Sequence, residues 1–535
     1  MSSRDDSSAR NSPGGAGRSL RCSPVPGPGG AGVSPVPGPG GAGVSPVLGA
    51  DGQRKRAPVP PDASSSSPSS SLESVVLPPP PAAVHFMGVG GIGVSALARA
   101  LLERGYSVSG CDLAPGRVTE ELGRLGATVS DGHDPAHLDG VNLLVISSAV
   151  RAENPELAAA LARGVPVVKR AALLGLLLRP LRTIAVAGTH GKTTTSALVA
   201  TILLDAGLDP TAFVGGDVPA LGGNARVGHG EWAVAEADEY DRSFLRLTPR
   251  VAVVTNVEHD HVDIYPDLAA VREAFARFIA LLPSDGVLVA CADDAATMEL
   301  AAAAPCRVVT YGLADLSGPA GSADWSAHDV VLDADGARFT LRAPDDVERP
   351  VRARLAGRHN VANALAALAA TREAGVALAA ALETLATFRP PGRRQEVKGY
   401  APGGAVIVDD YGHHPTEVAA TLAGLRALYP GRRLRVVYQP HTYSRTRAVL
   451  AETGRSLREA DEVAVTDIYP ARETDMLGVS GADVVDSARR AGVDAMLTPT
   501  VADAAAWLTR DDGSDVVLIT MGAGDIWKAG EQVLG

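Results

Sequence analysis

The run Gly188-Thr-His-Gly-Lys-Thr-Thr-Thr195 lies between an apolar strand, Ile184 to Ala187, and a helical stretch, Ser196 to Asp205. A strand, a glycine-rich turn and a helix in that order commit this part of the chain to an α/β unit whose turn binds phosphate. The glycines let backbone N–H groups approach phosphate oxygens, the helix N-terminus adds a favourable dipole, Lys192 supplies a positive charge, and Thr193 offers a hydroxyl to Mg²⁺. ATP with Mg²⁺ is therefore expected, held by Gly188, Thr189, His190, Gly191, Lys192, Thr193 and Thr194. The loop is short. Val186 stands where a full G-x-x-x-x-G-K-[ST] pattern has its first glycine, which argues against small GTPases and most motor-type NTPases.

At 535 residues the chain is too long for one core, and three to four domains are expected, fewer if part of it is disordered. A net charge of -12 argues against a nucleic-acid surface, which needs clustered Lys and Arg. Cys22, Cys111, Cys291 and Cys306 contain no C-x-x-C pair, so neither a disulfide framework nor a zinc site is expected, and a reducing cytoplasm fits best. The apolar run Ala171 to Leu178 is far too short to span a bilayer, so no membrane partner is expected.

Residues 1–81 read as a disordered Pro/Gly/Ser-rich tail with a direct repeat, Ser23 to Val33 recurring as Ser34 to Val44. From Ala82 apolar strands alternate with amphipathic helices, the pattern of βαβ units and parallel sheets. Three α/β domains are expected: 82–180, 181–388 and 389–535. The first contains the strands Val84 to Met87, Asn142 to Ser147 and Val165 to Val168. The second contains Ile184 to Ala187, Trp232 to Ala235 and Val251 to Thr255. Arg389-Pro-Pro-Gly392 reads as a hinge-like linker, after which Val406 to Val408, Arg435 to Tyr438, Glu462 to Thr466 and Val516 to Thr520 build the third.

The first domain opens with Gly88-Val-Gly-Gly-Ile-Gly93, a G-x-G-x-x-G turn directly after a strand, and Asp112 closes the next strand. Taken alone the turn is a Rossmann-type dinucleotide fingerprint, although the same backbone accepts the pyrophosphate of a UDP-sugar, and an ATP loop in the same chain argues against NAD. In the second domain, Glu236-Ala-Asp-Glu-Tyr-Asp241 and Asn256-Val-Glu-His-Asp-His-Val-Asp263 follow strands. They place carboxylates and histidines at one sheet edge, where oxygen ligands suit Mg²⁺. Asn360 and Asn363 share a helix face ahead of an alanine-rich helix, Ala364 to Ala370, and capping is the alternative reading for them. In the third domain, Asp409-Asp-Tyr-Gly-His-His-Pro-Thr416 and Gln439-Pro-His-Thr-Tyr-Ser-Arg-Thr-Arg447 follow strands and look like a face that holds an anionic substrate.

These motifs, together with Arg393-Arg394 and Met521-Gly-Ala-Gly-Asp-Ile-Trp527, stand in the order of the ATP-dependent Mur ligases, which the chain resembles from about Ala82 to its C-terminus. The resemblance implies an N-terminal Rossmann-like UDP-binding domain, a central P-loop ATPase-like domain and a C-terminal Rossmann-like α/β domain. It points to the branch that joins L-alanine to UDP-N-acetylmuramate through an acyl phosphate, although the Asp-Asp-Tyr-Gly-His-His-Pro run also resembles a muropeptide-recycling branch. By this resemblance Gly90, Gly91, Ile92 and Gly93 face the UDP-sugar. Lys192 contacts the β/γ-phosphates, Thr193 and Glu236 hold one Mg²⁺, and His261 with Glu236 a second. Asn360 and Asn363 are adenine-side residues, and Arg394 and Asp410 reach the nucleotide from the third domain. His413, His441 and Arg445 line the carboxylate and amino-acid pocket, with His413 a candidate base. A monomer or weak dimer is expected. Two departures stand out: Thr442 replaces an Arg found in some relatives, and Asp267 to Phe278 holds no lysine for carbamylation. A nucleotide switch that hydrolyses ATP without joining anything is the rival reading.

Overall fold

The computed structural model describes residues 76–147, 149–314, 323–474, 476–511 and 513–535, so the repeat-bearing tail up to residue 75 lies outside the described residues. Three sheets follow one another along the chain.

The first comprises β1 (Ala83–Met87), β2 (Ser107–Asp112), β3 (Thr128–Asp131), β4 (Leu143–Ile146) and β5 (Val167–Lys169), all parallel, in the order β3-β2-β1-β4-β5. Strand β1 is apolar and buried almost throughout, as a strand covered on both faces must be. The order reverses at β1, so a crevice opens beyond its carboxyl end, where Gly88 begins the glycine turn.

The second sheet comprises β6 (Arg182–Ala187), β7 (Thr211–Val218), β8 (Gly223–Arg226), β9 (Trp232–Glu236), β10 (Pro249–Val254), β11 (Val287–Cys291), β12 (Arg307–Leu313), β13 (Trp325–Asp333), β14 (Gly336–Arg342) and β15 (Glu348–Ala353). Their order is β15-β14-β13-β12-β11-β10-β6-β9-β7-β8. Because β6 lies between β9 and β10, and all three are parallel, the loops after Ala187, Glu236 and Val254 emerge side by side.

One face of this sheet packs against the helices Lys192–Asp205 and Arg358–Glu373, whose alanines allow close approach. The other face shares a continuous apolar core with Leu97, Leu173 and Leu177 of the first domain. There a side chain at Gly175 would come within 2.2 Å of the Arg246 carbonyl oxygen.

The third sheet comprises β16 (Glu396–Tyr400), β17 (Val406–Asp410), β18 (Arg433–Tyr438), β19 (Glu462–Val465), β20 (Ala495–Leu497) and β21 (Val516–Met521), in the order β16-β17-β21-β18-β19-β20, parallel except for β16. Here β17 and β18 flank β21, so the two His- and Arg-bearing segments leave the same edge.

The strands expected from the sequence are present, with ends shifted by one or two residues. The antiparallel extension β13–β15 was not anticipated. The helix expected over Ala364 to Ala370 begins earlier, at Arg358, so Asn360 and Asn363 lie inside its first turns and not ahead of it. Among the described residues no helix is long and apolar enough to cross a membrane.

Candidate active site

The phosphate loop is held by backbone conformations that only glycine adopts without strain. Gly188 has φ +135°, and a Cβ there would lie 1.9 Å from Thr255 Oγ1; Gly191 has φ +82°, and its Cβ would lie 2.4 Å from Asn363 Oδ1. Asn256 fixes the loop from the neighbouring strand end: its carbonyl accepts from Thr189 N (3.0 Å) and its Oδ1 from His190 N (2.8 Å). The first amides of the helix Lys192–Asp205 have no carbonyl within that helix to bond, which leaves them for a phosphate.

Lys192 Nζ donates to the carbonyls of Gly188 (2.6 Å) and Thr189 (3.0 Å) and to Glu239 Oε1 (3.1 Å). Burial opposes its charge, but Glu239, Asp238 and Glu236 outweigh that and hold the ammonium above its ordinary range. Thr193 Oγ1 donates to Glu236 Oε1 (3.1 Å), while Glu236 Oε2 accepts from Gly215 N (2.7 Å). His261 stands 3.7 Å from Glu239 Oε1 and 4.0 Å from Asp260 Oδ2. Asn363 Nδ2 donates to Asn360 Oδ1 (3.0 Å), and Asn360 Nδ2 to the Ala356 carbonyl (2.7 Å). The asparagine pair thus braces the back of the phosphate loop at Gly191.

The third domain closes over this loop. Gly392 N donates to the Asp217 carbonyl (2.9 Å), after which Arg394 Nη2 reaches Thr193 Oγ1 (3.3 Å). Asp410 is buried behind that arginine, with Oδ2 accepting from Gln395 N (2.8 Å) and Oδ1 from Gly412 N (2.7 Å). Burial raises its carboxyl to about 6 against the pull of Arg394. Arg445 Nε donates to Asp260 Oδ1 (2.8 Å), and Arg445 Nη1 to His441 Nδ1 (2.9 Å). Asp260 is held well below the usual carboxylate range: burial works against its charge, and Arg445, His261 and His413 overcome it. Burial, with Arg445 adding to it, lowers His413 to about 3 and His441 to about 4, so both imidazoles are neutral. The two rings are 5.7 Å apart and face the guanidinium of Arg445.

A second junction joins His190 of the phosphate loop to Glu417 (3.3 Å) and Glu258 (3.5 Å), while Thr416 Oγ1 donates to Glu258 Oε2 (2.7 Å). Burial disfavours the His190 charge, but Glu258 and Glu417 raise it to about 9. The carboxyl ends of the second and third sheets thus meet in one buried, charged seam.

Three consecutive matches lie along the chain: residues 83–182 match the Mur ligase family, catalytic domain, residues 186–371 the Mur ligase middle domain, and residues 392–524 the Mur ligase, glutamate ligase domain. The chain belongs to the Mur ligase family. Among its relatives, the UDP-N-acetylmuramate--L-alanine ligase of Desulfosudis oleivorans is 42% identical over 84% of this chain and 97% of its own length. The enzyme of the same name from Thiobacillus denitrificans is 44% identical over 83% of this chain and 96% of its own length. The solved structure of UDP-N-acetylmuramate-alanine ligase MurC from Thermotoga maritima superposes with a TM-score of 0.72 at 28% identity, covering 84% of this chain and 98% of that one.

In this Mur ligase the first-domain turn is tied to the end of β2. Gly88 N donates to the Cys111 carbonyl (2.8 Å), and Gly90 N to Asp112 Oδ2 (2.8 Å). The helix Ile92–Glu103 then starts from Gly91 with no side-chain cap. Asn224 of the second domain donates to the Ile92 carbonyl (2.8 Å), so turn and phosphate domain are tied together.

Sequence reasoning missed five residues here. Glu239, Asp260, Glu258 and Glu417 are the acidic partners of Lys192, Arg445 and His190; the first three lie in motifs already noted, but which carboxylate faces which cation is decided by the fold. Arg170 is the fifth. It follows β5, and its Nη1 would stand 3.0 Å from a side chain at Gly93, so a guanidinium lies at the glycine turn. Its position one residue past an apolar strand was the available signal.

Proposed function

We propose that this Mur ligase joins L-alanine to the carboxylate of UDP-N-acetylmuramate, converting ATP to ADP and phosphate through an acyl phosphate. One observation carries the reading. Arg394 of the third domain touches Thr193 of the phosphate loop, while His413, His441 and Arg445 form an adjoining wall against Asp260 of the second. The nucleotide site and an anion-holding pocket are thereby put face to face, as a reaction between a carboxylate and a γ-phosphate requires. The names of the relatives support the choice of sugar nucleotide and amino acid.

A carboxylate and an amine do not condense in water at useful rates, because hydroxide-like oxygen is a poor leaving group. Phosphorylation of the carboxylate supplies a good one. Lys192 and Arg394, converging on the loop from two domains, spread the charge of the transferring phosphoryl group, and positioning accounts for most of the acceleration. Gly188 to Thr194 cradle the phosphates, with Asn360 and Asn363 on the adenine side. Asp410 acts through the backbone of Gln395, holding the Arg393–Arg394 segment in place.

The glycine turn Gly90 to Gly93, with Arg170 beside it, holds the UDP diphosphate. His413, His441 and Arg445 receive the sugar carboxylate and the incoming amine. His413, a neutral imidazole at this pocket, is the candidate to accept the ammonium proton.

The donor set near Thr193 fits Mg²⁺. A hydroxyl and the Glu236 carboxylate stand 3.1 Å apart, with Glu239 and His261 close by, and oxygen ligands predominate. Thr193 and Glu236 would hold one ion and His261 with Glu236 a second, and the ions would supply positive charge against the phosphates.

The test is phosphate release from ATP with UDP-N-acetylmuramate and each amino acid in turn, plus the muropeptide tripeptide. Release that needs both the sugar nucleotide and L-alanine supports the reading. Release without any amine points to a nucleotide switch, and preference for the tripeptide to a recycling ligase.

A further inference from the structure

The first domain holds a cluster of ligating side chains that the ligation chemistry does not use. His85 on β1, Cys111 on β2, His137 in the turn Pro135–Leu138 and Glu156 at the start of the helix Pro155–Ala162 each offer one ligand atom, and all four atoms lie within 4.8 Å of one another. They are set among Met87, Leu138, Leu144 and Leu157 in a small apolar core. His85, Cys111 and Glu156 are 1%, 0% and 0% exposed.

The distances suit a small ion. His85 Nε2 is 3.0 Å and His137 Nδ1 3.2 Å from Glu156 Oε1, and Cys111 Sγ is 3.2 Å from Glu156 Oε2. A tetrahedral zinc with bonds of about 2.0–2.3 Å keeps its donors roughly 3.3–3.6 Å apart. The contacts to Glu156 therefore need to open by only a few tenths of an ångström, and the other donor pairs lie within 4.8 Å.

Two independent observations point to a ligand. His85 Nε2 is enclosed and makes no hydrogen bond, although it lies 3.0 Å from the carboxylate. Its other nitrogen is 2.8 Å from Ser109 Oγ; with the proton on Nδ1 donated to Ser109, the Nε2 lone pair would face the cluster. That is how a metal-binding histidine is oriented. In addition, His133 Nδ1 lies 3.0 Å from Glu156 Oε2 and 3.3 Å from Cys111 Sγ, the place of an outer partner that steadies two ligands.

We propose that His85, Cys111, His137 and Glu156 form a structural site for a zinc-type divalent cation. Two imidazoles, one thiolate and one carboxylate make a closed four-ligand set, which suits zinc and not magnesium. Its position gives it a task. The Cys111 carbonyl accepts from Gly88 N and Val89 N, and Asp112 Oδ2 from Gly90 N, so an ion fixing Cys111 braces the glycine turn from below.

The test uses the full chain, stripped with a chelator and titrated with Co²⁺. One equivalent of Co²⁺ is expected to give ligand-field bands of tetrahedral cobalt and a near-ultraviolet sulfur-to-cobalt charge-transfer band, and Zn²⁺ is expected to displace it. Cys111→Ser abolishes the charge-transfer band, whereas a triple Cys22→Ser, Cys291→Ser, Cys306→Ser variant retains it. His133→Gln weakens binding about 10- to 100-fold, the usual effect of losing an outer partner. The sulfur band separates this site from the histidines near the phosphate loop, which contribute no thiolate. Should Cys111→Ser fail to fold, the wild-type chain still decides: no charge-transfer band and no stoichiometric metal would overturn the proposal, as would a band that survives in Cys111→Ser. The cluster would then be a hydrogen-bonded knot around Glu156.

Discussion

Replacing Arg445 by Ala tests whether the seam between the second and third domains controls catalysis. Arg445 and Asp260 are 8% and 6% exposed, and Nε lies 2.8 Å from Oδ1. Unit charges about 4 Å apart at an effective dielectric constant of 20 attract by about 4 kcal/mol, and removing one member of a buried pair typically costs about 3–5 kcal/mol. Asp260 keeps the His261 amide at 2.6 Å and lies near His413, which puts the cost at the low end, about 3 kcal/mol. The two residues belong to different domains, so the loss takes the form of domain opening, which lets water reach Asp260. In substrate-free protein the radius of gyration from small-angle scattering should rise. kcat/KM for phosphate release should fall about 100-fold, at about 1.4 kcal/mol per factor of ten. Arg445 also faces the substrate pocket, so the pair is isolated with a double-mutant cycle of Arg445→Ala, Asp260→Asn and their combination. The double variant should lose about 2 kcal/mol less than the sum of the single losses. Additivity within about 0.5 kcal/mol would refute the reasoning.

Gly188→Ala should abolish turnover while circular dichroism stays unchanged, since φ +135° and a Cβ 1.9 Å from Thr255 Oγ1 force the loop to move; near-normal activity would show that the loop is softer than drawn. Lys192→Met leaves Glu239 buried without its cation and should lower stability by about 3 kcal/mol. Adding Glu239→Gln should recover most of that stability in denaturant unfolding but none of the activity, and recovered activity would remove Lys192 from phosphoryl transfer. For pH dependence, His190 is raised in the folded state to about 9 from an ordinary 6.5. Its contribution is therefore complete below about pH 6.5 and is lost as pH rises through 9, amounting to at most about 3 kcal/mol. Melting curves at pH 6.5 and 9.5 should differ more for the wild type than for His190→Gln, and equal differences would exclude this linkage.

What the sequence revealed, and what it withheld, follows from how far each partner lies along the chain. The phosphate loop was readable because its constraints are local: a strand, two glycines and a helix start within a dozen residues. Glu239 was not, because Glu236-Ala-Asp-Glu-Tyr-Asp241 offers several carboxylates, and which of them meets Lys192 depends on how the chain leaves β9. Glu417 reads as an ordinary residue in a helix's first turn and does serve in its capping box. Only closure of the third domain brings it to His190. Asp410, expected to reach the nucleotide, ends β17 as a buried carboxylate that takes the Gln395 and Gly412 amides, partners that no local pattern announces. Strands β13–β15 were missed for the opposite reason: as an antiparallel extension they alternate polar and apolar residues, which is weaker patterning than the apolar runs of the parallel core. Glu156 reads as a helix-start acid after Pro155, and nothing local places it beneath Cys111.

The seam also shows how a strained backbone is held where two domains meet. Several residues beside the reacting groups have left-handed φ values: His261 (+52°), Arg393 (+59°), Gln395 (+51°) and Thr442 (+61°). Each such residue costs about 1–3 kcal/mol when it is not glycine. At three of the four a carboxylate grips the residue's own amide, and at the fourth the amide of the residue that follows. Asp260 Oδ1 takes His261 N (2.6 Å), Glu396 Oε2 takes Arg393 N (2.9 Å), and Asp410 Oδ2 takes Gln395 N (2.8 Å); Glu473 Oε2 takes Tyr443 N (2.6 Å), next to Thr442. A hydrogen bond to a charged group contributes about 1.5–3 kcal/mol, so strain and grip nearly cancel. Two of these carboxylates also face the charges of the seam, Asp260 through Arg445 and Asp410 through Arg394. Any change in charge at these carboxylates therefore acts on the backbone that carries His261 and Arg394.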